Sequence, residues 1–318
     1  MKALLRIPPI FGLFFGIVAV STASIFIRFA QQDAPSLVIA AGRLSIATLM
    51  LTPFVISRSW HEIKAIPKRI FSLLILAGLS LGLHFATWIS SLEYTSVASS
   101  VVLVATAPLW VALLSPLFLK EKITTAVLAG LIISLIGSLV VGLNSACQFA
   151  EGQIACTGFG GLVSEKAIVG NLLALAGALF AGGYLMVGRH VRSGLSLLTY
   201  TFLVYGIAAV VLLIMVVASG TPVAVYSAPT WIWIVLLAVV PQIIGHSTFN
   251  YFLKTLSATF VSIALLGEPI GTIILAYLFL HESPSLLEMG GGLLILVGIF
   301  IASRGSNIKQ PKPEINPV

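Results

Sequence analysis

Three stretches of this chain, 94–119, 123–150 and 193–253, contain no Asp, Glu, Lys or Arg. A spanning helix needs about 20 mostly apolar residues, so each stretch is long enough to cross a bilayer, and the third is too long for one helix. Over the whole chain only 8% of residues are charged, against about 25% in soluble domains. A surface so poor in charge cannot face water, and the sequence therefore predicts a protein whose main solvent is lipid.

The apolar segments are continuous and do not alternate in polarity, as the strands of a membrane barrel would. They therefore predict helices, and Gly and Pro residues between 219 and 229 mark a turn inside the longest stretch. We predict an all-α integral membrane fold with ten transmembrane helices. The predicted spans are 9–30, 36–57, 70–92, 96–119, 123–142, 168–189, 196–218, 231–252, 257–280 and 286–303.

The basic residues set the predicted orientation of these spans. With the N-terminus in the cytoplasm, 14 of the 17 Lys and Arg residues fall on the cytoplasmic side, as the positive-inside rule requires. We therefore predict a multi-pass protein of the cell inner (plasma) membrane with both termini cytoplasmic. The formal charge of +7 is spread between apolar runs and forms no phosphate-neutralising patch, so the expected partner is the lipid bilayer and not nucleic acid.

An internal repeat divides the chain into two halves. Pro108 and Pro269 lie 161 residues apart, and so do Glu121 and Glu282, which close matching Leu-Phe-Leu segments. Five helices are an odd number, so the second copy enters the membrane upside down. Inverted repeats of this kind are typical of secondary transporters, whose two halves rock about a central site.

The repeat predicts four regions, namely a first five-helix repeat (1–143), an external loop (144–167), a second five-helix repeat (168–304) and a disordered cytoplasmic tail (305–318). The external loop holds both cysteines of the chain, Cys147 and Cys156. Two cysteines on an oxidising face can form a disulfide, which we predict here. The alternative is a pair of reduced thiols with no structural role.

The segment from Leu92-Glu93-Tyr94-Thr95 through Pro108 to Leu119-Lys120-Glu121, and that from Gly267-Glu268-Pro269 to Leu280-His281-Glu282, resemble the EamA-type family of the drug/metabolite transporter superfamily. The resemblance covers nearly the whole chain. It implies a ten-helix exporter or facilitator of amino acids, metabolites or drugs, with a small-molecule substrate and no enzymatic activity. One difference between the halves is Ala107, where the second copy has Glu268.

Two charged residues within predicted spans are candidates for substrate binding, because a charge inside the membrane is costly and tends to face a cavity or a partner. Arg43 could bind a carboxylate or phosphate through paired hydrogen bonds, or it could form an internal salt bridge with Glu93. Glu268 could accept a substrate amine or a proton. The resemblance places Glu-Pro at this position in relatives with different substrates, which implies a structural or gating role instead.

His84 and His246 occupy similar depths in the third and eighth spans, where a histidine can relay protons near neutral pH or can be held neutral by a nearby carbonyl. Trp88 and Asn250 each lie four residues further along and are expected to share those helix faces. The remaining aromatic candidates for lining a binding cavity are Trp110 and Tyr184.

Pro108 and Pro269 can bend their helices because each lacks a backbone N–H, and we predict that they act as hinges or gates. The substrate site is expected between helices one to four and six to nine. Helices five and ten are then left to brace the bundle or to form a homodimer.

Two other functions fit parts of the sequence. A passive channel or lipid flippase is the main alternative, although the ring of repeated polar residues that is typical of channels is missing from the sequence. An intramembrane hydrolase is the second, because Gly78-Leu-Ser80-Leu-Gly82 matches the nucleophile-elbow pattern. The sequence contains no Walker A motif, no cofactor fingerprint and no metal-ligand cluster, so we expect no cofactor and no direct use of ATP.

Overall fold

The structure is a computed structural model of the chain. It describes residues 9–95, 97–120, 123–143, 147–150, 153–156, 165–221, 226–280 and 286–305. Within these ranges the chain is almost entirely helical, and β structure is confined to one short hairpin. The predicted all-helical membrane fold class is therefore confirmed at this level.

The described residues of the first half form eight helices, and two of the predicted spans, 9–30 and 96–119, are each divided into two helices. They are α1 Pro9–Ser21, α2 Ala23–Ala30, α3 Ser36–Arg58, α4 Trp60–Lys64, α5 Lys68–Tyr94, α6 Val97–Val104, α7 Ala107–Phe118 and α8 Thr125–Leu143. The short helix α4 lies between two predicted spans and was not expected from the sequence.

The second half repeats this order with two irregular helical segments. Its helices are α9 Glu165–Arg192, α10 Leu197–Ala218, α11 Ala228–Leu237, a π-helix Ala238–His246, α12 Ser247–Phe252, α13 Ala258–Ala264, a 3-10 helix Leu265–Gly267, α14 Glu268–Leu280 and α15 Leu286–Gly305. The eighth predicted span is longer than expected, since helix begins at Ala228 rather than at 231.

Six helical segments in the described part of the chain are long and apolar enough to cross a membrane: Phe11–Ala30, Ser36–Arg58, Lys68–Tyr94, Ile168–Arg192, Leu197–Ala218 and Ala228–Phe252. Four further apolar segments are shorter: Ala107–Phe118, Thr125–Gly137, Ala258–Thr272 and Met289–Ala302. Ala107–Phe118 is short because the helix is broken between Val104 and Ala107, next to Pro108. The chain is thus a multi-pass membrane protein.

The polarity of the bundle is the reverse of that of a soluble protein. Large apolar side chains lie on its outside, with Val217 79% and Leu117 74% exposed, whereas Arg43, Gln242 and Asn250 are 0% exposed. An apolar exterior is expected where lipid is the solvent, because polar groups can be satisfied only inside the protein.

Close glycine contacts hold α8 against α15. A Cβ atom added at Gly130 would lie 2.4 Å from the carbonyl oxygen of Gly298, and one at Gly137 would lie 2.6 Å from that of Gly291. Both distances are too short for a side chain, so these positions need glycine. Small residues let membrane helices approach closely, and here they join the last helix of each half.

Helices of the two halves are interleaved rather than separate. Besides the α8–α15 pair, the most extensive packing joins α3 to α10 and α5 to both α9 and α10. In addition, α1 packs on the π-helix. The interface between the halves therefore runs through the centre of the bundle, where a site shared by both halves would lie.

A carboxylate of the first half caps the first helix turn of α10. Glu62 Oε1 accepts a hydrogen bond from the Ser196 backbone N–H at 2.7 Å. Its Oε2 accepts from the Ser196 hydroxyl at 2.5 Å and from the Thr199 hydroxyl. Burial raises the pKa of the Glu62 carboxyl, but these hydrogen bonds and the nearby Arg192 outweigh burial and lower the pKa below its ordinary value. We call this group the Glu62 clasp.

A second carboxylate of the first half caps α11 in the same way. Asp33 Oδ2 accepts from the Ser227 backbone N–H at 2.9 Å and from the Thr230 hydroxyl at 2.8 Å. The backbone hydrogen bond from Ser227 is the largest of the effects that lower the pKa of the Asp33 carboxyl. We call this group the Asp33 clasp. Since α3 separates Asp33 from Glu62 and is about 35 Å long, the two clasps lie at opposite ends of the bundle.

The predicted external loop contains the hairpin, formed by β1 Cys147–Ala150 and β2 Gln153–Cys156. Its antiparallel register places Cys147 directly opposite Cys156, which suits a disulfide, and the bond itself stays a prediction. Glu121, Glu282 and the tail after residue 305 lie outside the described residues.

Candidate functional site

A cavity of about 80 Å³ lies between the two halves. It is lined by residues of α3, α5, α7, α9, the π-helix and the broken span around Pro269. Eight of the ten residues predicted from the sequence for binding or gating lie on its wall: Arg43, His84, Trp88, Pro108, Tyr184, His246, Glu268 and Pro269. Polar side chains from separate helices thus converge on one place in the bundle, although they are far apart in the sequence.

The cavity is small for a binding site. A pocket for a small-molecule ligand usually has a volume of about 300–1,000 Å³, whereas this cavity would hold only a few water molecules. A solute the size of an amino acid would therefore require the helices around it to move apart.

Arg43 is wholly buried and is fixed on two sides. Its Nε donates to Gln242 Oε1 at 2.8 Å, and its guanidinium carbon lies 4.1 Å from the centre of the Phe85 ring. Within the described part of the chain, its Nη1 and Nη2 have no hydrogen-bond partner. The alternative partner suggested by the sequence, Glu93, instead accepts from the Ser36 backbone N–H at 3.0 Å, so an Arg43–Glu93 salt bridge is wrong.

Gln242 was not expected as a site residue, and its position depends on the π-helix. That segment contains Pro241, which cannot donate a backbone hydrogen bond. Short π segments inside α-helices often occur at functional sites. An uncharged but strongly polar residue in the middle of an apolar run was the signal in the sequence, because such a residue must find a partner inside the bundle.

The two histidines approach the cavity differently. His84 Nδ1 lies 2.9 Å from the carbonyl oxygen of Gly177. Because a carbonyl only accepts, Nδ1 carries the proton. The His84 ring is stacked on Trp88 at 5.8 Å, with an angle of 10° between the planes. His246 instead meets Phe85 edge-on at 5.4 Å. The expectation that a carbonyl holds His84 in place agrees with this geometry.

Asn250 does not line the cavity, although the sequence placed it on the same face as His246. Its side-chain oxygen accepts from the Tyr184 hydroxyl at 2.7 Å, and its amide nitrogen donates to the Tyr205 hydroxyl at 3.3 Å. Its backbone carbonyl accepts from Arg192 Nε at 2.9 Å. Asn250 therefore supports Tyr184 from behind, and Tyr184 is the member of the pair that reaches the cavity.

Glu268 begins α14 and lies on the cavity wall beside Pro269. Its backbone carbonyl accepts from the Ser21 hydroxyl at 3.1 Å, which ties this helix start to α1. Among the described residues, its carboxylate forms no ion pair with Arg43, although both line the same cavity. The cavity thus holds one basic and one acidic group that do not neutralise each other by direct contact.

Trp110 lies off the cavity, with its Cβ atom near Gly182, so the sequence prediction for this residue does not match the wall. Pro108 and Pro269 both occupy the wall at the same kind of position. α7 begins one residue before Pro108, and α14 begins one residue before Pro269 after a 3-10 turn. Each half therefore has a break in its fourth span where it meets the cavity.

The structure argues against the hydrolase alternative. Gly78, Ser80 and Gly82 lie within the continuous helix α5, whereas a nucleophile elbow needs a sharp turn from strand to helix. The two glycines have another role. A Cβ atom at Gly78 would lie 2.6 Å from Ile207, and one at Gly82 would lie 3.2 Å from Val211, so they allow α5 to pack closely on α10.

Comparison with known proteins gives a consistent result. A model of the EamA-like transporter family matches residues 7–143 and again residues 168–304. The uncharacterized transporter YyaM of Bacillus subtilis (strain 168) is 23% identical over 83% of this chain and 83% of its own length. An uncharacterized transporter of Archaeoglobus fulgidus is 26% identical over 90% of this chain and 93% of its own length.

The fold also occurs in solved structures. One protein crystal structure superposes with a TM-score of 0.74, covering 93% of this chain and 96% of that chain at 18% sequence identity. At this identity the likeness shows the fold alone.

Proposed function

Because the chain belongs to the EamA-like transporter family, we propose that it is a secondary transporter of small metabolites, such as amino acids or drug-like solutes, that works by alternating access. The observation that carries this proposal is the small cavity between the two halves, which is lined by both Arg43 and Glu268. Ionisable residues in membrane helices mark solute or ion pathways.

The proposed architecture is a bundle of ten spans in two inverted five-helix repeats, with both termini in the cytoplasm. The distribution of basic residues supports this orientation. The family model, which matches each half separately, supports a repeat. In this orientation the Glu62 clasp faces the cytoplasm and the Asp33 clasp faces the outside of the cell membrane.

The proposed motion is a rocking of the helices around the cavity, which opens it to one side at a time. The cavity is too small for an ordinary ligand, so it has to widen during each cycle. The helix breaks next to Pro108 and Pro269 supply two places on its wall where the backbone lacks regular hydrogen bonds. We propose that these two prolines act as hinges.

Counterflow in liposomes tests the proposal. Vesicles containing the purified protein are loaded with unlabelled amino acids or drug-like solutes, and entry of the same labelled solute is followed. A carrier that exposes one site alternately gives a transient accumulation of label, whereas a channel does not. We expect such accumulation for at least one solute class, and background entry for every class would contradict the proposal.

The Glu268→Gln variant adds a test of the site. We expect it to reduce counterflow several-fold, because it removes the acidic group from the cavity wall. The matched control is Glu93→Gln, the same chemical change at an exposed position outside the cavity. Equal activity in the two variants would show that Glu268 has no part in transport.

A further inference from the structure

The Arg43 guanidinium is an incomplete ion-binding group. A buried arginine inside a membrane is ordinarily paired with a carboxylate or with several carbonyl groups, and leaving it unpaired is costly. Here Arg43 is 0% exposed, and its one hydrogen bond to the described residues is made by Nε to an uncharged amide. The charge therefore has no counter-ion in direct contact with it in the part of the chain that the structure describes.

The two side chains that contact the Arg43 guanidinium leave one of its edges for a ligand. Gln242 occupies the Nε side, and Phe85 covers one face at 4.1 Å. The remaining edge carries Nη1 and Nη2, which have no partner among residues with described positions, and Arg43 lines the cavity. Two parallel N–H groups at the end of a guanidinium match the two oxygens of a carboxylate.

Other donors around the site are also without acceptors. Trp88 Nε1, on the cavity wall, and Gln242 Nε2, beside Arg43, are buried and unpartnered within the described ranges. Each of these groups can only donate a hydrogen bond. A buried donor without an acceptor is costly, so the occupant of this site should bring acceptor oxygens and a negative charge.

The choice between a carboxylate and a phosphate follows from charge. A phosphate monoester carries about −1.5 to −2 at neutral pH, whereas Arg43 supplies a single positive charge. Glu268 lines the same cavity and would repel a dianion. A carboxylate carries one negative charge, so one guanidinium is enough to balance it.

We infer that Arg43 is the carboxylate-binding residue of the cavity, that Gln242 is a positioning residue which aims its guanidinium, and that the substrates are small organic carboxylates. This inference rests on the proposed transport function and names its substrate class. On the same cavity wall, the Glu268 carboxylate offers a partner to a substrate that also carries an ammonium group.

Binding can be tested without transport. The purified full-length protein in detergent is titrated with a panel of small carboxylic acids, with and without an amino group, and with the carboxamide of each acid. Intrinsic fluorescence of the five tryptophans, of which Trp88 lies on the cavity wall, follows binding, and thermal unfolding gives a second measurement. We expect at least one acid to bind and its carboxamide to bind at least about tenfold more weakly, because charge-assisted hydrogen bonds are lost. If amides bind as tightly as acids, the inference is wrong.

Three variants test the role of Arg43. Arg43→Gln should weaken binding of the acid at least about tenfold and leave binding of its amide nearly unchanged. Arg43→Lys should give a smaller loss, because lysine keeps the charge but not the paired donors. Gln242→Glu places a carboxylate beside Arg43 Nε and should also weaken acid binding, and its new ion pair favours folding. Unchanged acid affinity in folded Arg43→Gln or Gln242→Glu protein would overturn the inference.

The outcomes separate this inference from the proposed function. Arg43-dependent binding of a carboxylate without counterflow would leave the binding site in place and count against transport. Counterflow of a neutral solute that Arg43→Gln does not alter would support transport and remove the carboxylate site. Counterflow of a carboxylate that is lost in Arg43→Gln, but kept in Glu93→Gln, supports both.

Discussion

The Glu62 clasp and the Asp33 clasp join the same two halves at opposite ends of the bundle, but they differ in strength. Glu62 is half-buried and uses both carboxylate oxygens to accept three hydrogen bonds. Asp33 is exposed and uses Oδ2 for the two hydrogen bonds described above. The sequences that receive them are alike, Ser196-Leu-Leu-Thr199 and Ser227-Ala-Pro-Thr230.

This comparison shows how two halves of one bundle can be joined unequally at its two ends. Both carboxylates belong to the first half, and both cap helices of the second half, where backbone N–H groups lack partners within the helix. Since more hydrogen bonds and less exposure favour the Glu62 end, we expect the bundle to open more readily at the Asp33 end.

The largest effect is expected on access to the cavity. Ser262 lies on the cavity wall, and Ser262→Cys in a chain with Cys147→Ala and Cys156→Ala gives a single thiol for labelling. Adding Glu62→Ala should raise the labelling rate from the Glu62 side about fivefold, which corresponds to about 1 kcal/mol. The measurement uses an impermeant thiol reagent applied to one side of the vesicles at a time. If labelling rises equally from both sides, the clasp does not control one end.

Next in size is the effect of Glu62→Ala on stability. Removing three hydrogen bonds at a partly exposed helix start should cost about 1 kcal/mol in the free energy of unfolding, measured as a lower thermal midpoint in detergent. His61→Ala, at the exposed residue just before Glu62, is the control. A midpoint equal to that of the control would show that the hydrogen bonds contribute nothing to stability.

A smaller loss is expected for Asp33→Ala. Asp33 accepts fewer hydrogen bonds and is more exposed, so water replaces its partners more easily. Its thermal midpoint should fall by less than that of Glu62→Ala and by more than that of the control Gln32→Ala. The two losses should add in the double variant, because the clasps are far apart. A larger loss for Asp33→Ala than for Glu62→Ala would reverse the proposed order.

The smallest effect is expected from pH. The folded protein lowers the pKa values of both carboxyls, so each clasp is fully present above the unfolded pKa of about 4 and is lost as the pH falls through the lower folded value. The difference in thermal midpoint between Glu62→Ala and the original chain should stay constant from pH 8 to pH 5 and shrink only below about pH 4. A difference that already shrinks at pH 6 would contradict the lowered pKa values.

The sequence predicted the helical segments well, because the signal for a membrane helix is local. Long apolar runs give the position of each helix, and polar residues inside them have to face the protein. For this reason Arg43, His84 and Glu268, chosen from separate spans, lie around one cavity. The repeat was visible because it is written in the sequence as a constant offset between Pro108 and Pro269.

Features that depend on distant contacts could not be predicted. The Glu62 and Asp33 clasps join residues 134 and 194 positions apart, and no local pattern shows which serine a carboxylate will cap. Asn250 was placed on the cavity wall by its spacing from His246, but its side chain is held by the hydroxyls of Tyr184 and Tyr205. Gln242 lies in a π-helix and bonds Arg43, a contact that α-helical spacing alone would not suggest.

The π-helix has a consequence for how this site could change by small insertions and deletions. Because a π turn bonds residues five apart instead of four, it is equivalent to an α-helix that has gained one amino acid. Losing one residue between 238 and 246 would restore ordinary turns and leave the helix before and the helix after the segment facing as they do now, because the π turns absorb the extra residue. A single lost codon would therefore shift the side chains inside the segment, Gln242 among them, while leaving the membrane-spanning length almost intact.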